Sequence, residues 1–355
     1  MPTLPQIIAA NPTTTDEFAD IVGLLRQIGT LTVTPTVSEV EAFFTEAQAR
    51  AIRYSPAAIS AAKAAALDEI VGPGFVGGFL HRNAPLKFVN FARTTIATQL
   101  IVRVIRPTLL GQGDHPLCGP HVVVQDMAER APLAYALYVI GLAEDGAGDI
   151  TVNARSTKTV QVDKHSNILD KHDHVGNASR IKQADYIALA SLRNDASWLP
   201  YRCALTNRTL QGATGSGQVA EWLKQAGYQD VRDKTFQTLS RMAMITKPAV
   251  VRDALYRGPM QDSLTAARNF LSLGYSVILC GTGNLANFTL GLDTDDSAVM
   301  LMFGGHWMRA KEIAVKTDGI DLKICTWTLG NLVKTAIPWS KVESWYRGFI
   351  CGDPN

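Results

Sequence analysis

Charge is scarce in this chain. Only 19% of its 355 residues are charged, below the roughly 25% usual for soluble proteins, and Lys plus Arg exceed Asp plus Glu by only 34 to 32. That balance excludes a charged, disordered tail and a chain whose main work is neutralising a phosphate backbone, so no nucleic-acid partner is expected. Cysteine is scarce as well: Cys118, Cys203, Cys280, Cys325 and Cys351 are the only five, an odd number without close pairing. A disulfide framework is therefore not expected, and at least one thiol stays unpaired. Met1 to Ala10 lacks a basic segment followed by an apolar one, which argues against a cleaved secretory signal. Long apolar runs are missing too. Ala131 to Ala143 is short, and Tyr275 to Leu292 is broken by Gly, Asn and Thr, so no membrane span is expected. These absences point to a cytoplasmic protein, or one exported without a cleavable signal peptide. Hydrophobic residues, by contrast, make up 46% of the chain. At about 150 residues per domain the length suggests two domains, or one large domain with an appendage.

Residues 1–71 carry helical patterning. Thr15-Asp16-Glu17 precedes Phe18, Ile21, Val22, Leu24 and Leu25; Ser38 with Glu41 has the spacing of a capping box; Ser55-Pro56 opens an Ala-rich stretch. Three helices are expected there. Gly72-Pro73-Gly74-Phe75-Val76-Gly77-Gly78 reads as a boundary or an ordered loop, and Pro107 stops the apolar run that starts at Phe91. Between residues 180 and 273 helices are expected at Ile181 to Ser191, Gly217 to Ala226, Lys234 to Met242 and Leu264 to Leu273. The last 80 residues carry strand patterning: Ser276 to Cys280, Ala298 to Phe303, His306 to Val315, Asp321 to Thr328 and Tyr346 to Cys351. Asp318-Gly319 between two of these runs is a hairpin signal.

Chemistry concentrates at residues 110–120. A thiol attacks as thiolate, and lowering its pKa from about 8.5 takes a helix N-terminus, an imidazolium, or both. Cys118-Gly119-Pro120 precedes a long apolar run, and Pro is favoured in a first helical turn, so the spacing places the sulfur at the positive end of a helix. Gln112 stands six residues earlier. Its side-chain amide, with the Cys118 backbone N–H, is suited to donate to the oxyanion of a tetrahedral intermediate.

Gln112-Gly113 followed by Cys118-Gly119 resembles the papain-like cysteine peptidases, in which a Gln stands six positions before the nucleophile at the start of a long helix. Cys118-Gly119-Pro120 is closer still to bacterial papain-like hydrolases of the bacteriocin-processing type and to related effector or toxin domains. Such enzymes need a His from a downstream strand. His306 is the only one of the seven His after residue 174, and Gly305-His306-Trp307-Met308 resembles the His-Trp start of the catalytic strand. Thr326-Trp327 resembles the Ser-Trp that follows the orienting Asn of the family. Cys325 occupies the place where that Asn or Asp is expected, which leaves Thr326, Thr328, Asp321 or a backbone carbonyl as the third partner.

The resemblance implies an α+β fold: a papain-like domain over residues 101–355, its helical half carrying the nucleophile and packed on an antiparallel β-sheet half, with an N-terminal helical region over residues 1–100 as cap, targeting or inhibitory segment. It implies a thiol-dependent hydrolase acting on an amide or peptide bond, with Cys118 as nucleophile, His306 as base and Gln112 in the oxyanion hole. The substrate would be a peptide, protein or cell-wall peptide, no cofactor is called for, and an effector or toxin role follows by analogy. The missing Asn or Asp motivates an alternative, a catalytically inactive papain-like fold that acts as a binding protein.

Three other clusters compete. His165, Asp170, His172, Asp173 and His174 have ligand chemistry for a metal, yet the composition around them is that of an exposed polar loop. Gly281-Thr282-Gly283-Asn284-Leu285-Ala286 matches G-x-G-x-x-A after a strand, but Asp293, Asp295 and Asp296 arrive too early for a dinucleotide fold. Gly212-Ala213-Thr214-Gly215-Ser216-Gly217 lacks the Gly-Lys-Ser/Thr ending of a phosphate loop and reads as a flexible start to a helix.

Overall fold

A computed structural model of the chain describes residues 2–72, 78–113, 115–153, 155–163, 168–169, 181–197, 214–236, 249–289, 305–325 and 332–355. The fold is α+β, and it divides into two compact units, residues 1–152 with 157–211, and residues 153–156 with 212–355.

The first unit begins with four helices where three are expected: α1 (Leu4–Ala10), α2 (Glu17–Arg26), α3 (Val37–Tyr54) and α4 (Ala61–Val71). Their caps differ from the expected ones. Thr36 and Glu39, not Ser38 and Glu41, form the capping box of α3: the Glu39 N–H donates to Thr36 Oγ1 (3.3 Å) and the Thr36 N–H to Glu39 Oε2 (2.7 Å). Two overlapping hydroxyl–carboxylate pairs satisfy the same spacing rule, and the earlier one is used. Ser60 rather than Ser55 caps α4, accepting from the Lys63 N–H at 3.3 Å. A buried ion pair from Arg50 to Asp20 (2.7 Å) ties α3 to α2.

Helices α5 (Arg93–Ile105), α6 (Cys118–Arg130), α7 (Pro132–Glu144) and α8 (Gln183–Ala196) form the centre of this unit, followed on α7 by a two-stranded antiparallel ribbon, β1 (Ala147–Ile150) and β2 (Lys158–Gln161). Every residue of α5 from Ile96 to Ile105 is buried, as expected of a helix surrounded by others. Its polar members are satisfied internally: Gln99 Oε1 accepts from the Ala184 N–H at 2.9 Å, and Arg103 pairs with Asp185. The boundary expected between residues 100 and 101 falls inside α5. Residues 1–100 pack on the rest of the unit through Arg82, which bridges Glu69 and Glu144, through Arg93, which binds Glu144 and stacks on Phe79 at 4.5 Å, and through the Lys87 N–H, which donates to the Ala143 carbonyl at 2.7 Å.

The second unit contains α9 (Ser216–Gln225), β3 (Gln229–Thr235), α10 (Ala249–Ser272), β4 (Ser276–Thr282), α11 (Gly283–Thr289), β5 (Gly305–Val315), β6 (Gly319–Cys325), β7 (Leu332–Pro338), α12 (Trp339–Trp345) and β8 (Tyr346–Asp353). Among the described residues its six strands form one sheet in the order β3-β8-β4-β5-β6-β7, antiparallel at every pairing. The Asp318-Gly319 hairpin forms as expected, with Val315 opposite Ile320 and the Lys316 N–H donating to the Gly319 carbonyl at 2.9 Å. Lys234 and Thr235, expected to open a helix, close β3 instead, because pairing with Phe349 and Gly348 of β8 outweighs their local preference. The rest of that expected helix, like the strand expected at Ala298 to Phe303, lies largely or wholly outside the described residues.

One face of the sheet buries Val277, Leu279, Met308, Ala310, Leu322 and Ile324 with Met260, Leu264 and Ala267 of α10. The edge strand β3 carries Asp230, Arg232, Asp233 and Lys234, a charged rim that discourages pairing with further strands. The short segment 153–156 belongs to this unit because Asn153 Nδ2 donates to the carbonyls of Gly227 (3.0 Å) and Pro354 (2.9 Å).

Candidate functional site

Pro107 ends α5, and the chain then turns through residues 107–117 before α6 starts at Cys118. The turn is fixed at several points. The Gly111 N–H donates to Asp185 Oδ2 (3.2 Å), and Asp185 itself receives two hydrogen bonds from Arg103, at 2.9 and 2.6 Å. His121 Nε2 donates to the Leu110 carbonyl (3.0 Å). Gly113 takes φ +56, a left-handed conformation that favours glycine. The His115 N–H returns to the Gln112 carbonyl (3.2 Å), and the Leu117 N–H donates to the His115 carbonyl (2.8 Å).

Cys118 is thus the first residue of a 13-residue helix, followed in its first turn by Gly119 and Pro120. Pro120 lacks an N–H where the helix has no carbonyl to offer it. The remaining N–H groups and the helix dipole favour negative charge at this end, which is the environment that promotes a thiolate. Cys118 is 8% exposed.

Gln112 is buried on the same turn. Its Nε2 donates to the His115 carbonyl at 2.7 Å, which commits one amide hydrogen and leaves the second; its Oε1 is buried without a hydrogen-bond partner among the described residues.

His306 belongs to the second unit. It is the second residue of β5, 7% exposed and opposite Gly281 of β4, on the strand face that also carries Leu279 and Met308. A side chain at Gly281 would meet Leu285 Cδ2 at 2.8 Å and Met308 Cε at 3.1 Å, so the residue facing His306 has to be small. Trp307 points to the opposite face, where its Nε1–H donates to the Thr214 carbonyl (2.9 Å). The structure therefore brings Gln112 and Cys118 onto one turn and describes His306 in a separate unit.

Asp321 is removed as a third partner. It pairs with Ala314, eight residues along β5 from His306, which is roughly 26 Å at strand rise, and it binds Lys316 Nζ at 2.6 Å. Cys325 pairs with Arg309 and so lies on the face opposite to that of His306. Thr326 and Thr328 lie outside the described residues.

The competing clusters fare differently. His165, Asp170, His172, Asp173 and His174 lie outside the described residues, and among those described no group of three metal-ligating side chains is placed to hold an ion. At Gly281 to Ala286 the chain does pass from strand to helix, but the next described strand, β5, pairs antiparallel to β4, whereas a dinucleotide-binding unit needs a parallel return. Gly215 is the N-cap of α9, consistent with a helix start. No helix among the described residues is long and apolar enough to cross a membrane. None of Cys118, Cys280, Cys325 and Cys351 is disulfide-bonded, and Cys203 lies outside the described residues.

Arg103 and Asp185 carry no mark in the sequence. Arg103 and Asp185 are 82 residues apart, so only the packing of α5 against α8 joins them. His121 does have a local signal, being three residues after Cys118 and hence one helical turn away. No protein family model matches this chain, and no curated protein and no solved structure is significantly similar to it.

Proposed function

We propose that the chain is a papain-like thiol hydrolase acting on an amide or peptide bond of a peptide, protein or cell-wall peptide. The observation that carries this reading is the position of Cys118 as the first residue of α6, with Gln112 held on the turn that leads into it. In the proposed reaction the Cys118 thiol gives its proton to His306, and Sγ attacks the carbonyl carbon. Gln112 Nε2 and the Cys118 N–H stabilise the oxyanion. The C–N bond breaks as His306 protonates the leaving amine, and water, deprotonated by His306, releases the acyl group from sulfur. The reaction requires the imidazole of the second unit to reach the thiol of the first.

A second reading, an inactive fold used for binding, is favoured by two observations. One hydrogen of the Gln112 amide is already committed to His115, and Cys325 lies on the strand face away from His306.

The two readings separate on a generic acyl donor. With p-nitrophenyl acetate the hydrolase turns over, transiently gaining one acetyl group on Cys118 by intact-mass measurement, and both Cys118→Ala and His306→Ala abolish turnover. Nitrophenolate release at the same rate from wild type and Cys118→Ala contradicts the hydrolase and leaves the binding protein.

A further inference from the structure

The hydrogen-bond pattern beneath the Gln112 turn goes beyond the residues that carry the proposed chemistry. Asp185 is fully buried and accepts three hydrogen bonds through its two oxygens: Oδ1 from Arg103 Nε (2.9 Å), and Oδ2 from both Arg103 Nη2 (2.6 Å) and the Gly111 N–H (3.2 Å). Burial alone would lower the pKa of Arg103, yet the Asp185 carboxylate beside it holds it above its usual value. Burial, reinforced by the nearby Arg103 charge, depresses the ammonium of Lys182, the N-cap residue of α8. Burial first, then the Asp185 charge, raises the Tyr135 phenol. An ion pair this deep is weak evidence for stability, because desolvation offsets most of its attraction. What it does provide is direction: a planar guanidinium fixes both carboxylate oxygens, and one of them is aimed at the residue next to Gln112.

A second tether reaches the same segment from the other side. His121, 1% exposed and one turn into α6, donates from Nε2 to the carbonyl of Leu110. The peptide between Leu110 and Gly111 is therefore held at its carbonyl from the nucleophile's own helix and at its N–H from α8. The next residue is Gln112. A donor that stabilises an oxyanion works through placement, and a displacement of about 1 Å is costly even when the group itself is intact.

We infer that the Arg103–Asp185 pair and His121 are positioning residues, which lock the turn at Leu110 and Gly111 so that the Gln112 amide is held in register with the N-terminus of α6. This rests on the hydrolase reading above.

The test uses the full chain, with p-nitrophenyl acetate as acyl donor and iodoacetamide as a probe of the same thiol that needs no oxyanion donor. Replacing both partners, Arg103→Met with Asp185→Leu, removes the tether without leaving a buried charge unpaired. His121→Leu removes the second tether, and His121→Gln restores a donor for the Leu110 carbonyl. Since these last two variants leave the buried ion pair intact, they decide the matter if the double variant fails to fold. The expected result is a fall of tenfold or more in the Cys118-dependent kcat for nitrophenolate release, with KM and the iodoacetamide rate within twofold of wild type, and recovery in His121→Gln. Unchanged kcat overturns the assignment. So does a parallel fall in ester cleavage and alkylation, because a purely structural role lowers both with the folded fraction. Wild-type protein without Cys118-dependent release overturns the hydrolase reading and this one together, whereas wild-type turnover with unaffected variants overturns only the positioning role.

Discussion

The two units bury very different interiors. The first places the buried ion pairs Arg50–Asp20 and Arg103–Asp185, with Gln99, Gln125 and His121, among its helices; the second buries Ser276, Asn284, His306, Arg309 and Arg347, and packs an apolar cluster of its sheet against α10. Polar burial costs free energy unless each group finds a partner. In the first unit Asp185, oriented by Arg103, and His121 hold one short segment before α6, at the Gly111 N–H and the Leu110 carbonyl, while Arg50 pairs with Asp20 and Gln99 with the Ala184 N–H elsewhere. In the second unit the sheet defines the geometry by backbone pairing, and His306 takes its place from the register of β5 on β4. The contrast is between a segment held by side chains and a residue held by a ladder.

The contrast breaks first at Asp185. Asp185→Ala strands Arg103 as a buried charge and is expected to cost about 3–5 kcal/mol in urea unfolding, whereas Arg103→Met with Asp185→Leu recovers most of that loss. If the two cost the same, the pair is only filling space. In the second unit the sensitive points are backbone positions. Gly348 has φ +105, and a Cβ there would lie 2.4 Å from the Lys234 carbonyl oxygen, so Gly348→Ala is expected to lose about 2–3 kcal/mol through strain and displacement of β3. Thermal unfolding that matches wild type would mean the β3–β8 pairing is not as tight as described. The smallest effect concerns pH. Burial pushes the Cys351 thiol from 9.0 up to about 11. A group whose pKa is raised on folding contributes its stability below the unfolded pKa and loses it as pH climbs through the folded one. Unfolding free energy should therefore fall by about 1–2 kcal/mol between pH 9 and pH 11, and Cys351→Ala should flatten that slope.

The same contrast explains which features could be read from the sequence. Asp318-Gly319, the strand from His306 and the helix starting at Cys118 are local: each is specified by a few adjacent residues, and each is found where expected. The capping pairs were ambiguous, since Ser38 with Glu41 and Thr36 with Glu39 satisfy one rule two residues apart. Lys234 and Thr235 read as helical until β8, more than 100 residues later, supplies a partner. The place of β8 between β3 and β4, like the bond from Asp185 to Gly111, depends on residues distant in sequence and leaves no periodic trace. For the candidate site, Gln112, Cys118 and His306 were visible as residue types in a spacing. The groups that hold the Gln112 turn were not, and the placement of Asp321 at the far end of β5 was decided by register alone.

The proposed hydrolase requires Cys118 to be an activated nucleophile served by His306. The rate of Cys118 alkylation by iodoacetamide, followed from pH 5 to pH 10 in wild type and in His306→Ala, tests it most directly. The account predicts a midpoint well below about 8.5 that moves upward in the variant. A midpoint at or above about 8.5, or one that His306→Ala leaves in place, would contradict it.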